Sequence, residues 1–194
     1  MKPRTDATRA LLATCVPLDA NERAHLEAMV DLLKTEAPFS RHQFVPGHFT
    51  ASVFALSPDC QSLLLIYHAK LNRWLQPGGH VESTDPDCTA SALRELAEET
   101  GLTQPQLLPG LFDVDVHQIP ARSMEPAHLH FDLRFCAIAR SREVTAASDA
   151  LDARWVPLDE ISTQESDASV LRAVDKLKQR FRPQDRSDDA LLPA

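Results

Sequence analysis

The chain has 194 residues, of which 43% are hydrophobic and 25% charged, and its formal net charge is −8. That length suits one domain with additions and buries a real core. The acidic balance argues against a nucleic-acid backbone or an anionic membrane as the main partner, so any phosphorylated ligand needs local cations.

In chain order, residues 5–15 are weakly helical. Asp19-Ala20-Asn21-Glu22 reads as a capping box opening a helix to about Lys34, with Leu26, Met29, Val30 and Leu33 as its apolar stripe. The segment APFSRHQFVPG ends it. His48 to Leu56 reads as a strand, Ser57-Pro58-Asp59 as a turn, and Gln61 to His68 as a second strand. After Lys70-Leu71-Asn72-Arg73-Trp74-Leu75-Gln76-Pro77 come Gly78 and Gly79. Asp85-Pro86 predicts a helix start, with Asp85 as N-cap and proline at N1, and Gly101 predicts its end. Two strands are expected near 109–118 and 128–139, joined by a loop containing Pro120 and Pro126. A strand at Ala153–Val156, the turn Pro157-Leu158-Asp159-Glu160 and an amphipathic helix over about 167–181 complete the pattern. The tail from Pro183, rich in Asp, Arg and Pro, reads as flexible.

The segment Arg94-Glu95-Leu96-Ala97-Glu98-Glu99-Thr100-Gly101-Leu102 carries the chemistry. At about 3.6 residues per turn, Glu95, Glu98 and Glu99 fall at i, i+3 and i+4 and share one face. Ala90, Leu93, Leu96 and Ala97 are expected on the opposite, docking face. Like charges at i and i+4 repel, by about a few tenths of a kcal/mol. A hard divalent cation explains why a helix beside a glycine turn collects three of them. A solvated acidic helix with a glycine cap accounts for the charge, but not for Arg94 or the upstream glycine loop.

These residues resemble the Nudix box, GX5EX7REUXEEXGU with U aliphatic. Arg94, Glu95, Leu96, Glu98, Glu99, Gly101 and Leu102 stand where its second half requires them. The first half departs: counting from Gly79, Asp85 occupies the place of the isolated glutamate, and eight residues rather than seven then precede Arg94. Asp85 is expected to cap the helix rather than to serve a ligand shell.

The resemblance implies an α+β Nudix fold, an α/β/α sandwich around a mixed sheet. Residues 46–182 would form the hydrolase domain, with 1–45 as an N-terminal helical extension and 183–194 as a flexible tail. It implies a Mg²⁺-dependent hydrolase (Mn²⁺ substituting) that cleaves a diphosphate bond, with Glu95, Glu98, Glu99 and the Gly79 carbonyl as ligands. Arg94 would hold the glutamates in place. The candidates for the general base are Glu98 or Glu99 within the box, or Asp149 or Asp152 in the loop before Trp155. Lys70 and Arg73, just before the glycine loop, are candidates to neutralise a diphosphate, set against the abundance of ordinary surface cations.

His128, His130, Asp132 and Arg134 alternate with apolar residues, as do Asp113, Asp115 and His117. If these strands form a hairpin, their polar faces align into a groove in which His128, His130 and Arg134 suit phosphate. The bland alternative is the solvated face of a half-buried sheet. A zinc site from His117, His128 and His130 is a weaker reading of loosely spaced histidines. His48 and His68 each read as structural hydrogen-bonders, and Trp74 and Trp155 as core or rim packing.

Substrate class stays open. The tyrosine of dinucleoside polyphosphate hydrolases is missing downstream of the box, since Tyr67 lies upstream. The proline of many ADP-ribose pyrophosphatases falls at Gln118, and no SQPWPFP-type segment is present. A nucleoside diphosphate linked to another moiety, or a nucleoside triphosphate, remains. Two other classes are a non-hydrolytic nucleotide sensor, which would commonly lose box glutamates, and an isoprenoid diphosphate isomerase, which needs a catalytic cysteine. Cys15, Cys60, Cys88 and Cys136 are scattered without a CxxC pair, as expected of free thiols in a reducing cytoplasm. Neither a signal-peptide h-region nor a spanning segment is visible, and a homodimer is left open.

Overall fold

The computed structural model describes residues 2–68, 72–122, 124–148, 150–162 and 166–181. In chain order they form α1 (Lys2–Leu12), α2 (Ala20–Leu32), β1 (Gly47–Leu56), β2 (Ser62–His68), β3 (Arg73–Leu75), β4 (Gly78–His80), α3 (Cys88–Thr100), β5 (Gln106–Leu107), β6 (Asp113–Ile119), β7 (His128–Ile138), β8 (Ala150–Pro157) and α4 (Ala168–Phe181). Strands β3, β4 and β5 are not foreseen in the sequence, because two or three residues are too few to show a period of two. The expected tail at 183–194 lies outside the described residues.

Strand β1 is buried along its whole length, as a strand covered on both faces must be. It runs parallel to β7, from Gly47↔Leu129 to Leu56↔Ile138, and antiparallel to β4 and β2. One face sends Phe49, Ala51, Val53 and Ala55 into a core closed by Leu12 of α1, Met29 and Leu32 of α2, and Ala92 and Leu96 of α3. The other sends Phe54 and Leu56 against Val170, Ala173, Val174 and Leu177 of α4. Helices thus cover both faces of a mixed sheet, the expected α+β sandwich. Each of these large side chains contributes about 1.5–3 kcal/mol by leaving water.

Helix α2 opens as expected: Asp19 Oδ1 accepts from the Glu22 N–H at 2.8 Å. The Glu22 side chain does not close the box on Asp19. It accepts from the Leu18 N–H at 2.6 Å and pairs with Lys176 of α4.

Helix α3 corrects two expectations. Its N-cap is Asp87, which accepts from the Ala90 N–H at 2.9 Å, so Pro86 lies before the helix rather than at N1. Asp85 is not a cap because its carboxylate is held elsewhere, by Arg94. The docked face is Cys88, Ala92, Leu96 and Thr100, with Ser91 and Glu99, rather than the stripe through Leu93 and Ala97. Gly101 ends the helix at φ 69°, where its N–H reaches the Ala97 carbonyl at 2.9 Å.

Candidate active site

The site is built on the start of β1, where the face that later carries Phe54 is polar: His48, Thr50, Ser52. Register sets these beside His130, Asp132 and Arg134 of β7, and β6 sets His117, Asp115 and Asp113 beside the same three. On the other side, β4 brings His80 and Gly78 opposite Thr50 and Ser52. The four strands β4, β1, β7 and β6 therefore make one polar floor. The hairpin pairing expected from the alternating sequence is present, and β1 extends it.

A cavity of about 640 Å³ opens over this floor, with Glu95, Glu98 and Glu99 of α3 on its wall. The glutamates are not equivalent. Glu99 is 3% exposed, and its Oε2 accepts from the Gly78 N–H at 3.0 Å. Glu98 is half exposed. Burial, opposed by Arg94, pushes the Glu95 carboxyl above its ordinary value. A Cβ on Gly79 would lie 2.7 Å from the Glu95 Cδ and Oε1, so only glycine lets the strand pass this close to the carboxylate. Arg94 Nη1 donates to Glu95 at 2.9 Å and to Glu98 at 3.0 Å, and its Nη2 reaches the His80 carbonyl at 2.9 Å.

Below the cavity, the interior is charged. Arg134 is buried, with Nε 2.9 Å from Asp132 and Nη atoms 3.3 Å from Asp113 and Asp115. Arg172 reaches Asp113 at 2.8 Å, and Lys176 reaches it at 3.2 Å. Asp132 also accepts from Thr50 Oγ1 at 3.0 Å and Ser52 Oγ at 2.7 Å. At the open end, burial and the surrounding imidazoles of His48, His80, His117 and His128 push His130 down to about 2.

The residues expected from sequence divide accordingly. Glu95, Glu98, Glu99, Gly79, Arg94, His128 and His130 line one cavity. Arg134 does not: it lies beneath the floor, neutralising three aspartates. Arg73 is exposed at the start of β3, and it is not among the lining residues. Lys70 and Asp149 lie outside the described residues. Asp152 is exposed on β8 and caps the N–H of Ala153 at 2.8 Å. Trp74 stacks under the Arg154 guanidinium at 3.9 Å, and the Trp155 Nε1–H donates to the Arg142 carbonyl at 2.9 Å, both packing roles.

Sequence reasoning misses Thr50, Ser52, Gln76 and His80, together with Arg41 and Arg122, all of which line the cavity. The signal was the polar half of β1, visible only once β1 is known to pair in parallel with β7.

A NUDIX domain family model matches residues 46–175. No curated protein matches the chain. Among solved structures, a NUDIX-family hydrolase from Clostridium perfringens superposes with a TM-score of 0.51 at 22% identity, covering 69% of this chain and 97% of that one. The NUDIX domain of Shewanella oneidensis NrtR, complexed with ADP ribose, gives 0.55 at 19%, covering 77% and 96%. The E. coli dihydroneopterin triphosphate pyrophosphohydrolase gives 0.52 at 14%, covering 68% and 92%. These likenesses bear on the fold, whereas the domain match spans well over half of the chain and includes the whole glutamate helix. On that match, the chain belongs to the Nudix family of pyrophosphate-bond hydrolases.

Proposed function

We propose that this protein is a Mg²⁺-dependent pyrophosphohydrolase acting on a nucleoside diphosphate linked to another moiety, or on a nucleoside triphosphate. The observation that carries this reading is the convergence of Glu95, Glu98 and Glu99 with the Gly78–Gly79 backbone on one cavity. The residues fit a hard ion. The donors are all oxygens, which suits Mg²⁺ and lets Mn²⁺ substitute. The missing Cβ of Gly79 lets the strand backbone lie close against the Glu95 carboxylate, and a cation bound there would relieve a carboxylate that burial disfavours. Glu95, Glu98, Glu99 and the Gly79 carbonyl would hold it. When bound, such an ion neutralises phosphate oxygens and makes a water more acidic.

The chain's own groups supply the rest. Arg94 restrains Glu95 and Glu98 from the side, and the Gly78 N–H fixes the orientation of Glu99. Glu98, the most exposed of the three, and Glu99 are the groups suited to accept a proton from an attacking water. Arg41 and Arg122 bring positive charge to a cavity otherwise rich in carboxylates, which favours an anionic substrate. His128 and His130 line the wall beyond the glutamates. One protein of this fold is complexed with ADP ribose and another is named for dihydroneopterin triphosphate, which supports a small phosphorylated ligand.

The isomerase alternative needs a cysteine, and none is among the described residues lining the cavity. Burial pushes the Cys88 thiol up to about 11, against Thr8 and away from chemistry. We take residues 46–182 as the hydrolase domain and 1–45 as its helical extension, and we assign the protein to the cytoplasm, consistent with buried free thiols at Cys15, Cys88 and Cys136. No helix among the described residues is long and apolar enough to cross a membrane.

The test is a panel of nucleoside triphosphates and nucleoside diphosphate conjugates, incubated with Mg²⁺ or with EDTA, while phosphate and monophosphate release is followed. Metal-dependent turnover of one member supports the reading and names the substrate. Silence across the panel with Mg²⁺ still binding would favour a sensor.

A further inference from the structure

Five of the eight histidines, His48, His80, His117, His128 and His130, meet at the open end of the polar floor. The rings of His48, His128 and His130 form a triangle with centroids 4.8–5.1 Å apart. Of their ring nitrogens, His128 Nε2 and His130 Nε2 are within hydrogen-bond reach of each other, while His48 Nε2 is not part of that pair. His48 Nδ1 lies 3.1 Å from the Gln43 carbonyl, and His128 Nδ1 lies 2.8 Å from the Pro126 carbonyl. A carbonyl only accepts, so Nδ1 carries a proton in both rings, and in the neutral form Nε2 is a bare lone pair. His48 Nε2 is buried without a hydrogen-bond partner, in a residue 1% exposed. Leaving such an atom unsatisfied costs about 1–3 kcal/mol, which calls for an occupant.

His128 Nε2 lies 3.3 Å from His130 Nε2, long for an N–H···N bond. Two nitrogens each bound about 2.05 Å from a tetrahedral Zn²⁺ are about 3.3–3.4 Å apart. One ring nitrogen from each of the three histidines lies within 4.8 Å of the other two, so a modest tilt of the rings brings all three to that spacing.

The geometry points to a second metal site, in which His48, His128 and His130 bind a Zn²⁺ ion whose remaining position faces the cavity. Imidazole suits Zn²⁺ and disfavours Mg²⁺, so the histidines and the glutamates would select different ions. The two backbone carbonyls play the part that fixes the tautomer of a metal-binding histidine. His117, expected in the trio from sequence, is engaged by Asp115 at 3.1 Å, and His48 replaces it. Because His128 and His130 line the cavity, the open position takes a water or an anionic oxygen of whatever ligand enters.

The test uses the full chain, stripped with a chelator and titrated with Zn²⁺ against a chromophoric competitor, and with Co²⁺ for its visible spectrum. One equivalent of Zn²⁺ should bind, and E98Q and E99Q should retain it. H130A should weaken it by roughly 100-fold or more, since even outer partners of a metal histidine cost about 10–100-fold. Zinc K-edge absorption on the unaltered protein should show three imidazoles, a readout that does not depend on any variant folding. Absence of stoichiometric Zn²⁺ binding, a ligand shell of oxygen alone, or undiminished affinity in folded H130A would overturn the assignment. These readouts follow metal binding, so they stand or fall apart from nucleotide turnover.

Discussion

Asp85 and Arg94 meet in a two-pronged ion pair, Nε to Oδ1 and Nη2 to Oδ2, each at 3.0 Å. Burial alone would raise the Asp85 carboxyl, but Arg94 and the Glu82 N–H hold it below its ordinary value. The same guanidinium binds Glu95, Glu98 and the His80 carbonyl, so one side chain ties the entry loop, β4 and α3 together. The loop is one residue longer and its acid one methylene shorter than the Nudix pattern, and the pair still closes.

Asp85→Ala therefore removes one of the carboxylate partners of a partly buried Arg94 and loosens its hold on Glu95 and Glu98. The variant should lose about 1–3 kcal/mol of stability, read as a lower melting temperature, and its kcat should fall further than its stability explains. A D85A protein with unchanged melting and turnover would remove Asp85 from the site.

How much of this was legible beforehand follows from distance along the chain. The glutamate helix reads well because its pattern is local: Arg94 to Leu102 is one continuous segment. The β6–β7 pairing also reads, because the alternation on both strands matches. What pairs across about eighty residues does not read. Nothing in His48-Phe49-Thr50 announces a parallel partner at His130-Phe131-Asp132, and that pairing brings together the histidine cluster and the polar floor. Arg134 misleads for the same reason. An alternating strand marks it as facing the groove, but only the fold reveals three aspartates competing for it.

The two glycines of the loop should separate stability from activity. A Cβ on Gly78 would lie 2.3 Å from the Ser52 Cβ and 2.6 Å from its Cα, on a strand that cannot yield. Gly78→Ala should therefore be strongly destabilised and poorly expressed. A Cβ on Gly79 meets the end of the Glu95 side chain, which can move. Gly79→Ala should fold with near-normal melting but lose turnover by about 100-fold, the scale expected when a catalytic group shifts by an ångström. Equal melting temperatures for the two variants would contradict this account.

The buried charges below the floor predict the acid limit of the fold. Burial alone would raise the carboxyls of Asp113 and Asp115. Arg172 and Arg134 outweigh it for Asp113, and His117 and Arg134 for Asp115, so both are held below the ordinary range, Asp115 well below it. With folded values depressed, the stabilisation is fully present above the unfolded value of about 3.9 and is lost as pH falls through the folded values. Unfolding free energy from denaturant titrations should begin to fall below about pH 6.5, where the unfolded chain protonates His48 and His130 whose folded values burial depresses, and the carboxylates should add a further fall below about pH 4. Asp115→Asn should flatten that fall; a slope identical to the parent would exclude Asp115 as its source. Arg134→Ala, which leaves three aspartates short of a partner, should cost about 3–5 kcal/mol at neutral pH.

Glu99 offers the sharpest test of the reaction. It is buried at the end of α3, and its Oε2 accepts the Gly78 N–H at 3.0 Å. Glu99→Gln keeps the shape of the side chain and an oxygen for that bond, so the fold and the glycine loop should remain in place. It removes the charge that a divalent cation would meet, and the carboxylate that would take a proton. Turnover supported by Mg²⁺ should drop by about 100-fold or more, the order seen when one electrostatic catalytic group is removed, while the melting temperature without metal stays close to the parent. Saturating Mn²⁺, a more avid ion for the same oxygens, should recover part of the loss if Glu99 acts through the metal, and none of it if Glu99 acts only as the base. A variant with near-parental activity in Mg²⁺ would place the chemistry elsewhere in the cavity.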